Sequence, residues 1–402
     1  MKRFSTIILA LIVAVAPLYA QKNPDLRWLP KTPSHRAELI LPQVKGYNIY
    51  KADLHIHTVY SDGDVSAKGR VTEAYYDGLD IIAITDHIEY RPYEAQMLKA
   101  TQGYHEGGAP KPKNHHLTYK PASEEGILAD LNVPYNEAKK PGERLGMVVI
   151  PGVEMTRHPD KIGHYNFLFI EDANTIYDPD PEQSIRNAKK QGALVMHNHP
   201  GWRRKTVDMN EFHQRLYDEK LIDGVEIVNG GSFGPKLIHR CLDRKLFMAA
   251  ATDIHSTTAH SYGQRDYFRT CTFVLAKDLS LKSVREALEK RRTLAFSHNN
   301  VMGEEKLIEE FFHNSVSMKV IYTSSKGEKT VVMTNTTSIP YRLRRGGKGE
   351  GTLLDPFQSI TFKVAKDKDL SFTVMNLWTA DDEHPNSKRL HVCYPAKLLN
   401  KK

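Results

Sequence analysis

Residues 47–63 of the chain read YNIYKADLHIHTVYSDG. A short apolar run, Tyr47 to His55, leads through Asp53-Leu54-His55-Ile56-His57 into a polar turn, Ser61-Asp62-Gly63. On an extended segment, residues two apart leave the same face, so His55 and His57 present two imidazoles side by side. Two surface histidines at a strand end would give the same His-x-His pattern, so alone it decides nothing. It gains weight because similar residues recur at the ends of later strands.

Between Tyr47 and Leu275 one rhythm repeats: a short apolar run, then polar, helix-compatible sequence. The runs are Tyr47 to His55, Ile81 to Thr85, Met147 to Val153, Tyr165 to Ile170, Ala193 to Met196, Gly224 to Val228, Phe247 to Ala251 and Phe268 to Leu275. They are continuous rather than alternating, which predicts strands buried on both faces, in an α/β barrel or a helix-covered sheet. Helices are predicted over Pro181 to Gln191 and Ser280 to Arg291; in the second, Leu281, Val284 and Leu288 share one apolar stripe. Parallel strands would place all their C-terminal ends on one rim, where α/β barrels carry their chemistry. The second run leads into Asp86-His87, the third ends at Glu154, the fifth runs into His197-Asn198-His199-Pro200, and the seventh into Asp253-Ile254-His255. Five strand ends that each offer His, Asp or Glu are not surface decoration. His164 stands at the start of a strand, but the loop before it contains Pro159, Asp160 and Gly163, so an antiparallel reversal would return it to the rim of Glu154. Imidazole and carboxylate together suit Zn, Mn or Fe rather than Ca or Mg alone.

From Tyr47 to Asn299 this constellation resembles the polymerase-and-histidinol-phosphatase (PHP) family. The resemblance implies an α/β fold, a distorted seven-stranded (β/α) barrel over residues 47–300, with two or three divalent metal ions and phosphoesterase activity. Carried onto this sequence, the family's metal ligands are His55, His57, Asp62, His87, Glu154 as the bridging acid, His164, His199, Asp253 and His255. Position 62 is Asp where some members have His, which resembles the nucleotide-phosphoesterase branch more than the histidinol phosphatases. His197 has no firm counterpart and is read as structural. Asp86 is read as a support, and Asp53 either accepts from a ligand imidazole or caps a loop. Asp253, His255 and His199 are the candidates for assisting proton transfer, although ligation occupies their lone pairs first. Arg157, Arg203 and Arg204 adjoin the ligand motifs and are expected at the substrate phosphate, which suits the guanidinium fork.

Ser61 lies in a ligand loop without a triad, and Cys241, Cys271 and Cys393 lie outside every motif, so the expected nucleophile is metal-activated hydroxide rather than a side chain. The same activated water would serve an amide or lactone hydrolase. Basic residues converging on the ions would favour phosphate, and an apolar pocket would favour an amide. A non-catalytic protein that binds a glycan or a partner would be marked by missing ligands, and none of the family's positions is missing.

The 402 residues leave room for a second, smaller domain. Met1 to Ala20 reads as a secretory signal: Lys2 and Arg3 precede an apolar stretch, Ile7 to Pro17, and Leu18-Tyr19-Ala20 offers a cleavage site before Gln21. The stretch is shorter than a spanning helix needs, so the expectation is an exported protein, periplasmic or secreted, with residues 21–46 as a lead-in and no membrane segment after signal removal. The formal net charge of +8 becomes +6 without Lys2 and Arg3 (8 − 2), and the clusters Arg203-Arg204-Lys205 and Arg342 to Lys348 read as a solvated face rather than a nucleic-acid track. A small phosphorylated substrate, nucleotides included, is compatible with that charge. Glu89 to Arg144 is a long insertion read as a lid. After Asn300 the texture changes to alternating strands, and Leu307 to Lys402 reads as a small β-sandwich without catalytic spacing.

Overall fold

The computed structural model describes residues 36–91, 130–157, 162–204, 206–262, 268–346, 349–379, 389–397 and 399. The expected signal and most of the expected lid lie outside them. The last part of the lid segment is instead a helix, Val133–Arg144, entered through Pro134 and packed against the helix Ala67–Tyr76 and the strand that comes after it.

The fold is mixed α/β with one large sheet of parallel and antiparallel strands. Its first part comprises Asn48–Asp53 (β1), Ile81–Ile84 (β2), Val148–Arg157 (β3), Gly163–Leu168 (β4), Leu194–Asn198 (β5), Gly224–Asn229 (β6), Ser232–Phe233 (β7), Phe247–Ala251 (β8), Cys271–Ala276 (β9), Thr293–Ser297 (β10) and Asn300–Met302 (β11). Neighbours run β11-β10-β9-β1-β2-β3-β4-β5-β6-β7, and β8 also pairs with β6. The pairs β1–β2, β2–β3, β5–β6 and β6–β8 are parallel, whereas β4 runs antiparallel to both β3 and β5. The ends of β1, β2, β3, β5, β6 and β8 therefore point the same way, as parallel strands would, whereas the last apolar run, β9, departs from that expectation and runs antiparallel to both β1 and β10.

The path from β1 to β8 returns on itself at that rim. Asp253 N–H donates to His55 O at 2.9 Å, His57 N–H to Ile254 O at 3.2 Å and Asp64 N–H to His255 O at 2.8 Å. Deeper in the fold, β8 meets β9 and β10 through threonine hydroxyls: Ala250 N–H donates to Thr272 Oγ1 (3.0 Å) and Met248 N–H to Thr293 Oγ1 (3.1 Å). Leu54, Ile150, Met196, Phe247 and Val274 fill one buried cluster between these strands.

Helices cover the strands and start at local signals. Ser66 accepts from Gly69 N–H ahead of Ala67–Tyr76, and Asp180 accepts from Glu182 N–H ahead of Pro181–Lys190, where Pro181 occupies the first helical position. In the helix Leu281–Glu289, Val284 and Leu288 are buried as expected, but Leu281 at its first turn is 40% exposed.

The C-terminal strands are Val316–Thr323 (β12), Lys329–Asn335 (β13), Tyr341–Arg344 (β14), Thr352–Leu354 (β15), Ser359–Val364 (β16), Leu370–Trp378 (β17) and Arg389–Tyr394 (β18). Alternation was the right signal for them: β13 buries every second residue. Their partners differ from a self-contained module. β12, β13 and β16 form a three-stranded sheet, whereas β14, β15, β17 and β18 join the large sheet, because β17 pairs in parallel with β11 (Val301↔Leu377). Phe311 and Phe312 of the helix Glu305–Ser315 are fully buried in one cluster with Phe273 and Phe296 from β9 and β10, and with Val331, Tyr341 and Phe372 from the C-terminal strands. The packing is continuous across Leu307.

Candidate metal centre

The nine residues expected as ligands converge, and Glu154 is their centre. It is fully buried. Its Oε1 lies 3.5 Å from His55 Nε2, 3.3 Å from His164 Nδ1 and 3.7 Å from His199 Nε2, while its Oε2 lies 3.4 Å from His57 Nε2 and 2.8 Å from His87 Nδ1. The antiparallel β3–β4 hairpin places Thr156 opposite His164, which brings this histidine back to the rim as its loop predicted. Asp253 Oδ1 sits 3.2 Å from His55 Nε2 and 3.0 Å from His57 Nε2. Asp62 completes another group: Oδ1 is 3.6 Å from His57 Nδ1 and 3.5 Å from His87 Nε2, and Oδ2 is 3.2 Å from His255 Nε2.

These separations suit cations. Two donors about 2.1 Å from one ion at tetrahedral angles stand about 3.4 Å apart. Asp62 Oδ1, Glu154 Oε2 and His164 Nε2 are buried without a hydrogen-bond partner, and the imidazole nitrogens His55 Nε2 and His57 Nε2 face each other at 3.1 Å. An uncompensated buried acceptor is costly, and a divalent ion relieves several at once. Among the described residues the donors fall into four overlapping sets, His57-Asp62-His87-His255, His55-His57-Asp253, Glu154-His164-His199 and His55-His199-Glu226, a division compatible with more than one ion.

Electrostatics agree with that reading. Burial alone would raise the carboxyl of Glu154, but His87 and His55 hold it well below the ordinary carboxylate range. His55 and His57 do the same for Asp253 against its own burial, and His255 and His87 for Asp62. Burial opposes charge on His87, yet Glu154 and Asp62 push it up to about 10, whereas burial and the neighbours His87 and His255 bring His57 down to about 4. The carboxylates are thus ionised, and protons on some imidazoles offset charge that cations would balance.

The supports lie one layer back. Asp86 accepts from Thr58 N–H (2.8 Å), Thr58 Oγ1 (2.7 Å) and Ser61 Oγ (2.6 Å), which ties down the loop after His57. Of the two readings of Asp53, the loop cap is the one found: it accepts from His55 N–H and Thr252 N–H and is paired with Arg269 at 2.6 Å, and it touches no ligand imidazole. Arg70 is almost fully buried and donates to the carbonyls of His57 (2.8 Å), Ser256 (2.8 Å), Ile254 (3.2 Å) and His255 (2.5 Å), joining the first and last ligand loops. His197 points away from the cluster; its Nδ1 lies 2.9 Å from Tyr217 OH.

Three contributors escaped the sequence reading. Glu226, a carboxylate inside the apolar run of β6, has Oε1 3.3 Å from His55 Nδ1 and accepts from His199 N–H through Oε2 at 2.8 Å. It holds two ligand residues at once, and a charge inside a buried strand was the signal for it. Asn229 donates to Asp253 Oδ2 at 3.2 Å, and Asn198 to Glu154 Oε1 at 2.9 Å.

Above the buried His55 and His57 opens a cleft of about 290 Å³, walled by the remaining ligands together with Tyr90, Thr156, Trp202 and Arg203. Of the three arginines expected at substrate, the structure brings only Arg203 to this cleft, its guanidinium carbon 4.3 Å over the Trp202 ring. Arg157 pairs with Glu89 at 2.7 Å and donates to Asp178 O, Pro179 O and Ser184 Oγ. Arg204 donates to Asp208 O at 2.7 Å. Both satisfy nearby acceptors and do not line the cleft, although Arg204 borders a small space behind His164 and His199.

A family model of the PHP domain matches residues 53–290. The crystal structure of a two-domain protein containing a predicted PHP-like metal-dependent phosphoesterase, from Bacteroides vulgatus, is 32% identical, with a TM-score of 0.77 over 90% of this chain and 100% of that one. The chain belongs to the PHP domain family. With the His/Asp/Glu cluster in place, this PHP protein is in class a metal-dependent hydrolase. More distant structures share less: an amidohydrolase from Chromobacterium violaceum (14% identity, TM-score 0.34, 61% of this chain and 98% of that one) and a lesion-specific endonuclease from Pyrococcus furiosus (15%, 0.36, 64% and 59%). A search of curated proteins found no match. No helix among the described residues of the PHP protein is long and apolar enough to cross a membrane.

Proposed function

We propose that this PHP protein is an exported phosphoesterase that hydrolyses a small phosphate ester at two or three divalent ions, Mn, Zn or Fe, held by His55, His57, Asp62, His87, Glu154, His164, His199, Asp253 and His255. The observation that carries it is the convergence of five imidazoles on the two oxygens of buried Glu154. Export rests on the pattern of Met1 to Ala20. Bound divalent ions supply an acidified water and neutralise phosphoryl charge.

The chain's own groups do the rest. Arg203 is the cation placed to meet a phosphoryl oxygen at the cleft wall. Asp253 directs Oδ1 at His55 and His57, while Oδ2 accepts from Asn229 and lies 3.7 Å from His199 Nε2. His255 donates from Nδ1 to Asp253 O at 2.7 Å, which aims Nε2 at Asp62. Trp202 forms one wall of the cleft.

One observation favours a second reading, an amide or lactone hydrolase: an apolar pocket adjoins the cleft, and only one of the three expected arginines reaches it. The two are separated by a hydrolysis screen of metal-reconstituted protein over phosphomonoesters, phosphodiesters, nucleotides and amides. Turnover of a phosphate ester with none of amides is the expected result. Turnover of amides or lactones alone would replace it.

A further inference from the structure

Behind His199 and Trp202, which the metal cleft also uses, lies a second pocket of about 200 Å³. One end is polar and belongs to the site: Glu226 accepts from His199 N–H, and Asn229 donates to the ligand Asp253. The other end is walled by Val207, Ile227, Phe233 and Leu237. Trp202 stands between the two spaces with 41% of its surface exposed and its ring 4.9 Å from that of His164. A partly apolar pocket that shares two walls with a metal cluster is a place for a substrate's non-reacting part.

Two glycines let the apolar wall of this pocket pack closely. A Cβ on Gly234 would stand 2.8 Å from Leu237 Cδ1, and one on Gly201 would stand 3.2 Å from Val207 Cγ1. Neither glycine has the left-handed backbone that would demand it for conformational reasons. What they provide is room for those two side chains. A cavity of about 150 Å³ lined by Leu, Ile and Phe takes a benzene ring, so the volume here is enough for one six-membered ring.

We propose that this pocket binds a single apolar ring carried by the substrate next to the group that is cleaved, so that the preferred substrates are esters of ring-bearing rather than short-chain alcohols. The proposal rests on the hydrolase reading of the adjoining cleft. Its polar end orients the substituent toward the ions, and its apolar end rejects charged groups, which would be buried there without partners.

The test uses full-length, Mn-loaded protein and non-hydrolysable probes, which removes any effect of leaving-group reactivity. Calorimetric titration with methylphosphonate and phenylphosphonate should show the phenyl compound binding about tenfold more tightly, as expected for apolar area leaving water. Val207→Phe, which fills the pocket, and Gly234→Ala, which displaces Leu237 in its wall, should each erase that preference and leave methylphosphonate affinity unchanged. Equal affinity of the two probes for the unmodified protein, or a ring preference that survives both substitutions, overturns the proposal. A parallel pair, acetohydroxamate and benzohydroxamate, separates this failure from that of the phosphoester reading. If phosphonates do not bind but benzohydroxamate wins and Gly234→Ala abolishes its advantage, the ring pocket stands and the phosphoester assignment falls.

Discussion

The side-chain amide of Asn198 donates to Glu154 Oε1 at 2.9 Å and to Asn166 Oδ1 at 2.8 Å. Asn166 in turn donates to Leu54 O at 3.0 Å, so the central carboxylate is oriented by a chain of amides that ends on the backbone just before His55. The carboxylate can therefore hold its position between ligand sets without using the oxygen that faces His57 and His87.

Replacing Glu154 by Gln nearly preserves shape but removes the anion between the donor sets. Turnover should fall by about a hundredfold or more, the scale of metal-ion catalysis, and bound metal should fall with it. His197→Asn should be milder, since His197 faces Tyr217 and not the cluster. Rates at saturating metal, elemental analysis and circular dichroism decide the comparison; equal damage from both substitutions would place His197 among the ligands.

Glu226→Gln tests a positioning role. The neutral amide still reaches His199 N–H but no longer favours the imidazole of His55 in one orientation, so metal affinity should drop by about 10- to 100-fold with the thermal midpoint of ion-free protein little changed. Competition with a chelating dye reads the affinity directly. Unchanged affinity would reduce Glu226 to packing.

His213 offers a pH prediction away from the ions. Burial, with Arg204 nearby, lowers it from the ordinary value of 6.5 to about 4. The unfolded chain therefore binds more protons between those values, and stability falls as pH drops from about 6.5 toward 4. His213→Gln removes this titration yet keeps an acceptor where His213 Nδ1 meets Asn210 N–H. In ion-free protein the thermal midpoint should decline less steeply over that window than in the parent. Parallel declines would contradict the assignment.

Phe311 ties the C-terminal strands to the rest, its ring 6.2 Å from that of Phe273 on β9. Phe311→Ala should cost about 3–5 kcal/mol. Denaturant unfolding of the parent should show one transition followed equally by fluorescence and by loss of activity. Two resolved transitions, with activity surviving the first, would restore an independent module after Leu307.

The rim was legible because period and chemistry coincide there: His55 and His57 share a face, and Glu154, His199 and Asp253 come directly after apolar runs. Glu226 was hidden because it sits inside such a run and its role depends on β6 lying beside β5. Arg70 is a helix residue whose partners are far along the chain, and no local pattern announces such a contact. Arg157 and Arg204 were placed by adjacency, but long side chains reach acceptors in several directions, and the nearest carbonyls won. For the C-terminal strands, alternation revealed their existence and not their neighbours: pairing of β17 with β11 is a non-local choice made by the shared aromatic core.

Arg70 bears on which ion the protein accepts. Its guanidinium joins the carbonyl of His57, 13 residues before it, to those of Ile254, His255 and Ser256, 184 to 186 residues after it. Loops braced from behind in this way keep their spacing before any cation arrives, unlike sites that fold around their metal. An ion of unsuitable radius then has to deform the scaffold or forgo a donor. The tolerance of the donor set for ions of different radius is then a matter of mechanical stiffness as well as of donor chemistry, and a helix residue outside the donor set contributes to that stiffness.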